Sequence, residues 1–499
     1  MDQIPSTVVY FLLISVVIAG CTWFFQYMSI KRRHLQLLGK ITKVPGLPII
    51  GNALSLFGTT SEIFDLFVKY FFEYGPNFLL WFGNIPVVII GKPEDLERTM
   101  QSQSCLSKGY FYEFTKLVVG EGLFSAPVHK WRKTRKIIQP TFNSKILNYF
   151  LPIFAETSGI FVNEILLRYV NRKDIDWFPL FSSVHLDTIS QTAMGMNTDA
   201  QRRKTNFVDH LNTALRITFF RMTNVFLHPD IIFKFTRFSA EVNTAVKFMK
   251  KFTNERDLEN RPDDLSFGDE PSKRKVFLEF LLELDHKGNK FTDQELIDEV
   301  MTFFVGGTDT SAVTSCFFLS MMGMHQDIQQ RVFEEILEVI GPEKSADVED
   351  LTKLQLLERC LKETLRIFPP APFIAREVKD KEVKLTDYVL PVGTVLLFSI
   401  FYTHRCPDYW ENPLKFDPDR FLPEVFSKKH PYSFIPFSGG LRNCVGIRYS
   451  YMNLKNLLSM ILRKYKVYCD YKSIEEIELE NCIVVKPIHG FKIHFEERR

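Results

Sequence analysis

The chain has 499 residues, 45% of them apolar and 24% charged, with a formal net charge of +3. That composition excludes a disordered chain, a collagen-like chain and a polytopic membrane protein, and so small a basic excess gives no global case for nucleic-acid binding. The outlying number is 48 Phe against 5 Trp and 17 Tyr, flat apolar surface that suits either a large core or the lining of large apolar spaces.

In chain order, the first element is an apolar segment, Val8 to Met28, which carries no charge. Its length suits a helix crossing a bilayer core of roughly 30 Å. Lys31, Arg32 and Arg33 follow at once, and Lys40 and Lys43 come soon after, whereas only Asp2 and the α-amino group precede it. The positive-inside rule then places the N-terminus in the lumen and the remainder in the cytosol. A cleaved signal peptide would begin basic and have a shorter apolar run. Ile18-Ala19-Gly20-Cys21 resembles a bacterial lipidation box, but the apolar run continues past Cys21 and the basic start is missing. An uncleaved anchor over residues 1–29 is therefore expected, with no second apolar stretch of that length. Residues 30–52 form a basic stretch and a stiff proline link, Pro45 and Pro48 fixing φ and Gly46 and Gly51 turning the chain.

Length alone suggests about three domains, but residues 53–499 show no internal repeat and no second composition zone, so one large α-rich domain is expected. Leu79–Phe82 and Val87–Ile90 flank Gly83-Asn84 as in a hairpin. Residues 258–275 are polar and read as a surface loop. Residues 292–325 predict a long apolar helix, with Thr292 and Glu295 spaced as a capping box. The eight cysteines contain no CxxC pair, which removes zinc-ribbon and thioredoxin patterns and points to a reducing compartment. Any chemically active cysteine must act singly.

One cysteine has such a setting. Phe437-Ser438-Gly439-Gly440-Leu441-Arg442-Asn443-Cys444-Val445-Gly446 reads F-x-x-G-x-R-x-C-x-G. A thiolate ligand needs backbone N–H groups close to sulfur, which glycines permit, together with a nearby cation, offered by Arg442, and a helix N-terminus, expected just after the cysteine with helix from about Tyr449. The other seven cysteines read as inert.

The motif resembles the haem-thiolate loop of the cytochrome P-450 monooxygenases, and further motifs fall in that family's order. Glu363-Thr364-Leu365-Arg366 resembles its E-x-x-R pair, which alone says little because such i, i+3 pairs are common on helix surfaces. Pro418-Asp419-Arg420-Phe421 resembles the following P-x-R-F segment, and His404-Arg405-Cys406-Pro407 with Trp410 also fits. Trp131-Arg132-Lys133-Thr134-Arg135 resembles W-x-x-x-R. The resemblance covers essentially the whole chain. It implies a mainly α fold with small β-sheets and a non-covalent haem b with Cys444 as axial thiolate. It places Trp131, Arg135, Arg376, Arg442, Phe437, Gly306 and Gly307 around that haem, and joins Glu363, Arg366 and Arg420 in a buried structural triad. Cys360 to Arg366 with Phe368-Pro369-Pro370 is similar to the animal microsomal group that holds fatty-acid ω-hydroxylases and many arthropod members. Where many of that group carry a haem-esterifying Glu, this chain has Gly306, so covalent haem is not expected.

Gly306-Gly307-Thr308-Asp309-Thr310 lies mid-helix, where each glycine costs about 1 kcal/mol against alanine; a flat cofactor lying against the backbone would account for it. Asp309 beside Thr310 sets an acid next to a hydroxyl, a pair suited to relaying protons for O–O cleavage. The bland alternative is Thr310 bonded to the carbonyl four residues back. The resemblance implies electrons from NADPH through NADPH-cytochrome P-450 reductase, with cytochrome b5 as a further donor. Lys130, Arg132, Lys133 and Lys136 form a candidate docking face for an acidic reductase or, more plainly, a solvated helix face. Endoplasmic-reticulum membrane residence is implied, with O₂, a small lipophilic substrate and no nucleic acid. Phe207, Phe219, Phe220, Phe226, Phe233, Phe235 and Phe238, with Tyr110, Phe111, Tyr112, Phe114 and Phe124, read equally as substrate surface or as core. Two other readings compete with a reductase-driven monooxygenase. One is a reductase-independent haem-thiolate isomerase or peroxygenase, which retention of Asp309 and Thr310 disfavours. The other is a non-catalytic haem-binding protein, which retention of Arg135 disfavours.

Overall fold

The computed structural model describes residues 6–203, 205–258, 277 and 291–498. Beyond Leu258, the polar loop expected over 258–275 lies outside the described residues. Helix α1, Ser6–Leu37, exposes its apolar first part, with Phe11, Val16, Val17 and Phe25 all outward. The helix runs past residue 29, the expected limit of the anchor. It continues through the basic residues and docks its last turns on the rest of the chain: His34 and Leu38 are buried, the Lys31 ammonium lies 5.0 Å from the Trp81 ring, and Arg33 pairs with Glu382 at 3.1 Å. The proline link is pinned too. Asn52 donates to the Pro45 carbonyl at 2.8 Å and accepts the Trp81 N–H at 3.0 Å.

That link feeds a five-stranded sheet: β1 (Thr42–Lys43), β2 (Asn77–Phe82), β3 (Ile85–Ile90), β4 (Phe373–Glu377) and β5 (Val395–Ser399), in the order β1-β2-β3-β5-β4. β2 and β3 are antiparallel, with Phe82 opposite Ile85. The hairpin is therefore the expected one, with β3 starting two residues early; only Gly83 of its two loop residues has positive φ, as a II′ turn requires.

The rest is helical. The elements that place the site are α2 (Val128–Ile138), α3 (Ser144–Ile160), α4 (Trp177–Met194), α5 (Phe207–Thr223), α6 (Asp293–Met324), α7 (Gln355–Ile367) and α8 (Ile447–Lys464). Near the C-terminus β6 (Leu479–Cys482) pairs antiparallel with β7 (Val484–Pro487). The capping box at Thr292 and Glu295 is formed. Beyond it α6 runs through the centre of the largest core cluster, its residues from Ser311 to Gly323 all buried, with Cys316, Phe317 and Phe318 fully so. One continuous apolar cluster joins residues from Phe64 to Phe495, so length misled on domain count. A second helical stretch, Ser144–Tyr169, matches a membrane span in length and composition, contrary to expectation. Leu147, Phe150, Phe154 and Phe161 bury it inside the protein, so its apolar character serves the core.

Candidate functional site

The loop before α8 is built around Cys444. Its N–H donates to the Phe437 carbonyl at 3.0 Å, closing the loop on itself. Ser438 and Gly440 both have positive φ, 62° and 67°, and a Cβ on Gly440 would stand 2.1 Å from the Met100 carbonyl oxygen, so glycine is required there. Phe437 is half-buried, with its ring 5.4 Å from Tyr451. Helix α8 begins at Ile447, two residues earlier than expected, which brings its N-terminus closer to the sulfur. By surface area Cys444 is exposed, yet burial pushes its thiol pKa up. The two agree if the thiol faces an enclosed internal space. The Gly446 N–H, Arg135 and Lys108 oppose that rise. Arg442 does not supply the expected charge at the sulfur. Its guanidinium turns away, donating to the Leu106 and Ala126 carbonyls at 2.6 Å each and stacking over Trp131 at 5.0 Å.

Trp131 and Arg135 share one face of α2, as their spacing predicts. Arg135 grips the cysteine loop itself, donating to the Asn443 carbonyl and Oδ1 at 2.8 Å each. Arg376, on β4, is buried and reaches the Arg442 carbonyl at 3.3 Å. Sequence reasoning missed Lys108. Burial and the charges of Arg376 and Arg442 lower its pKa, while Cys444 opposes them. Nothing local marks this lysine; an isolated bridge between Ser107 and Glu377 brings it to β4, a long-range register no local pattern reveals.

This arrangement tests whether a haem fits. Lys108, Arg376 and Arg442 act on one another as like charges, none pairs with a carboxylate among the described residues, and the Arg442 Nε has no hydrogen-bond partner there. Burying uncompensated cations is costly, and a ligand with two carboxylates beside a thiol-reaching metal would offset that cost. On α6, a Cβ on Gly306 would meet nothing within 4 Å, and Gly306 is exposed although Phe303, Phe304, Thr308 and Asp309 around it in sequence are buried. The residues present fit a haem b.

Along α6 the Thr310 hydroxyl donates to the Gly306 carbonyl at 2.6 Å, the bond that the bland alternative described. That bond uses the hydroxyl hydrogen and leaves the oxygen able to accept. Gly307 packs on Ile189, where a Cβ would come within 3.1 Å. Asp309 is fully buried, and neither carboxylate oxygen has a hydrogen-bond partner among the described residues. Burial raises its pKa, and Lys486, a second residue missed in the sequence, opposes the rise.

The expected triad is formed. Arg366 donates to both oxygens of Glu363, Nε at 2.7 Å and Nη2 at 2.8 Å, and Arg420 Nε approaches Glu363 Oε1 at 3.2 Å. Arg366 also donates to the His404 and Pro413 carbonyls, each at 2.8 Å. Of the docking-face residues, Arg132, Lys133 and Lys136 are exposed, whereas Lys130 is tied to Glu295 at 3.4 Å. The aromatic set divides. Phe207 and Phe233 are core, whereas Phe226 and Phe235 point outward, so none of these four lines an inner cavity.

Comparison with known proteins agrees with this geometry. The family model described as Cytochrome P450 matches residues 42–495. Cytochrome P450 4g15 of Drosophila melanogaster is 32% identical, covering 99% of this chain and 98% of its own length. Cytochrome P450 4c21 of Blattella germanica is 33% identical over 91% of this chain and 93% of its own. Cytochrome P450 4V2 of Homo sapiens is 32% identical over 94% and 92%.

Proposed function

The chain belongs to the cytochrome P450 family and is a haem-dependent monooxygenase, and we propose from that premise that the Cys444 thiolate would hold the haem iron, that Asp309 and Thr310 would serve proton delivery, and that electrons would arrive from NADPH through a reductase at the membrane of the endoplasmic reticulum. The observation that carries the site assignment is the group of cations beside Cys444, buried Arg376 and Arg442 with half-buried Lys108, which has no carboxylate partner among the described residues.

Lys108, Arg376 and Arg442, with Trp131 stacked beneath Arg442, would hold the two propionates, and Arg135 would fix the loop that presents the Cys444 sulfur. Bound there, a haem with a thiolate ligand supplies cleavage of O₂, one atom entering a C–H bond and the other leaving as water with two protons and two electrons. The chain's own residues would serve the proton supply: the Asp309 carboxylate would take a proton up, and Thr310, its hydroxyl hydrogen given to Gly306, would offer Oγ1 as a hydrogen-bond acceptor that positions the proton donor. Arg132, Lys133 and Lys136 offer an exposed basic face to an acidic reductase. The substrate is lipophilic. The apolar anchor and the outward Leu47, Ile49, Ile50, Phe226, Ile231 and Phe235 suit a link over 30–52 and a catalytic domain over 53–499 resting on the bilayer, with the cytosol on its far side.

The test is turnover of a lipid and steroid panel with NADPH, reductase and isotopically labelled O₂. One labelled atom should enter the product. Thr310→Ala should keep consuming NADPH while product falls and hydrogen peroxide rises. An unchanged product-to-peroxide ratio would mean that Thr310 serves only its helical carbonyl.

A further inference from the structure

Lys486 of β7 stands where four elements meet. Its ammonium lies 3.9 Å from Asp309 Oδ2 on α6, donates to Asn212 Oδ1 on α5 at 2.9 Å, and sits 3.7 Å from the centre of the Phe178 ring on α4. The distance to Asp309 is too long for a hydrogen bond and short enough for a strong charge interaction in a poorly solvated space. The lysine's own hydrogen bond goes to the amide oxygen, so Asn212 and Phe178 hold the ammonium about 1 Å beyond hydrogen-bond distance from the carboxylate. Both Asp309 oxygens are thereby left without a partner among the described residues, an arrangement that costs stability and that a merely structural ion pair would avoid.

We infer that Lys486 is a positioning residue for proton delivery: standing off from Asp309, it favours the carboxylate form while leaving both oxygens free to take up a proton, and its tether to Asn212 makes that supply depend on helix α5. The inference rests on the relay reading of Asp309 and Thr310. Other titratable groups around this space do not replace Lys486. Asp176, at the N-cap of α4, and Cys316, two turns along α6, share its field. Glu480, opposite Lys486 on β6, accepts from Thr60 at 2.6 Å. His185 of α4 is held neutral by burial, its pKa lowered to about 3, and contacts Ser315 and Asn453. The charge that acts on Asp309 is that of Lys486.

The experiment uses the full haem-loaded chain. The carboxyl C=O stretch of Asp309, identified in infrared difference spectra by its loss in Asp309→Asn, is followed against pH in wild type, Lys486→Met and Lys486→Arg. Removing the cation should move the midpoint up by about one pH unit or more, and arginine should restore it. The product-to-peroxide ratio should shift along the pH axis in the same direction. The reduced-CO spectrum should stay unchanged, showing an intact thiolate site; Lys486→Gln serves if the methionine variant does not accumulate. An unchanged midpoint overturns the inference. Because the infrared band reads the pair without turnover, the two readings fail separately. An unchanged midpoint with a lowered ratio in Asp309→Asn removes Lys486 and keeps the relay; a shifted midpoint with an unchanged ratio in Asp309→Asn removes the relay and this role with it.

Discussion

Two arginine groups, one around Glu363 and one around Arg442, solve opposite problems. In the Glu363 group, one carboxylate answers Arg366 and Arg420, and the carbonyls of His404 and Pro413 take the remaining Arg366 donors. It is complete as it stands. In the Arg442 group, Lys108, Arg376 and Arg442 face one another with no acid among the described residues. The first group holds the fold together; the second is complete only with an anionic guest. The lesson is that a buried charge says little by itself, and that its balance distinguishes a structural cluster from a binding site.

The difference can be broken at its strongest point first. Glu363→Ala should strand two buried guanidinium groups, a loss of about 3–5 kcal/mol, and expression should yield little folded protein; normal yield and melting temperature would show that the triad is dispensable. Arg376→Met, by contrast, should leave the chain folded and act on the guest. Losing one charge-assisted bond of about 1.5–3 kcal/mol should speed haem transfer to an acceptor apoprotein by roughly tenfold to a hundredfold, and unchanged transfer would remove Arg376 from the propionate set.

A third buried charge sharpens the contrast more gently. Glu299 on α6 accepts the Leu123 N–H at 2.9 Å, and burial lifts its pKa from 4.5 to about 8. Between those two values the folded state binds a proton that the unfolded state has released, so stability should fall as pH rises, by up to about 1.4 kcal/mol per pH unit from this group. Glu299→Gln should flatten that slope and melt higher than wild type at pH 8, as calorimetry at several pH values would show; parallel curves would contradict it.

How legible all this was in the sequence depended on range. The capping box at Thr292, the Gly83-Asn84 turn and the Phe437–Gly446 loop are local patterns; the first two formed as read, and the loop closed around Cys444 but turned Arg442 away to the Leu106 and Ala126 carbonyls. Lys108 and Lys486 are single lysines whose meaning comes from strands paired or packed far along the chain, β4 for one and α6 for the other. At the anchor, charge marks the edge of a membrane and not the end of a helix: past residue 29 the basic turns remain helical and dock on Trp81 and Glu382. The span-like stretch Ser144–Tyr169 escaped notice for the reverse reason: its Lys145, Glu156 and Glu164 break the charge-free run that marked the anchor, although a buried core helix and a membrane helix share an apolar composition.

The measurement that tests the account most directly is the difference spectrum of the reduced, CO-bound protein, taken for wild type and Cys444→Ser. The account predicts a strongly red-shifted Soret band in wild type, because that band requires a thiolate opposite CO, and its loss in the serine variant. A serine variant that keeps the band in full would contradict the assignment of Cys444 and, with it, the reading of the cation cluster beside it as the seat of the haem.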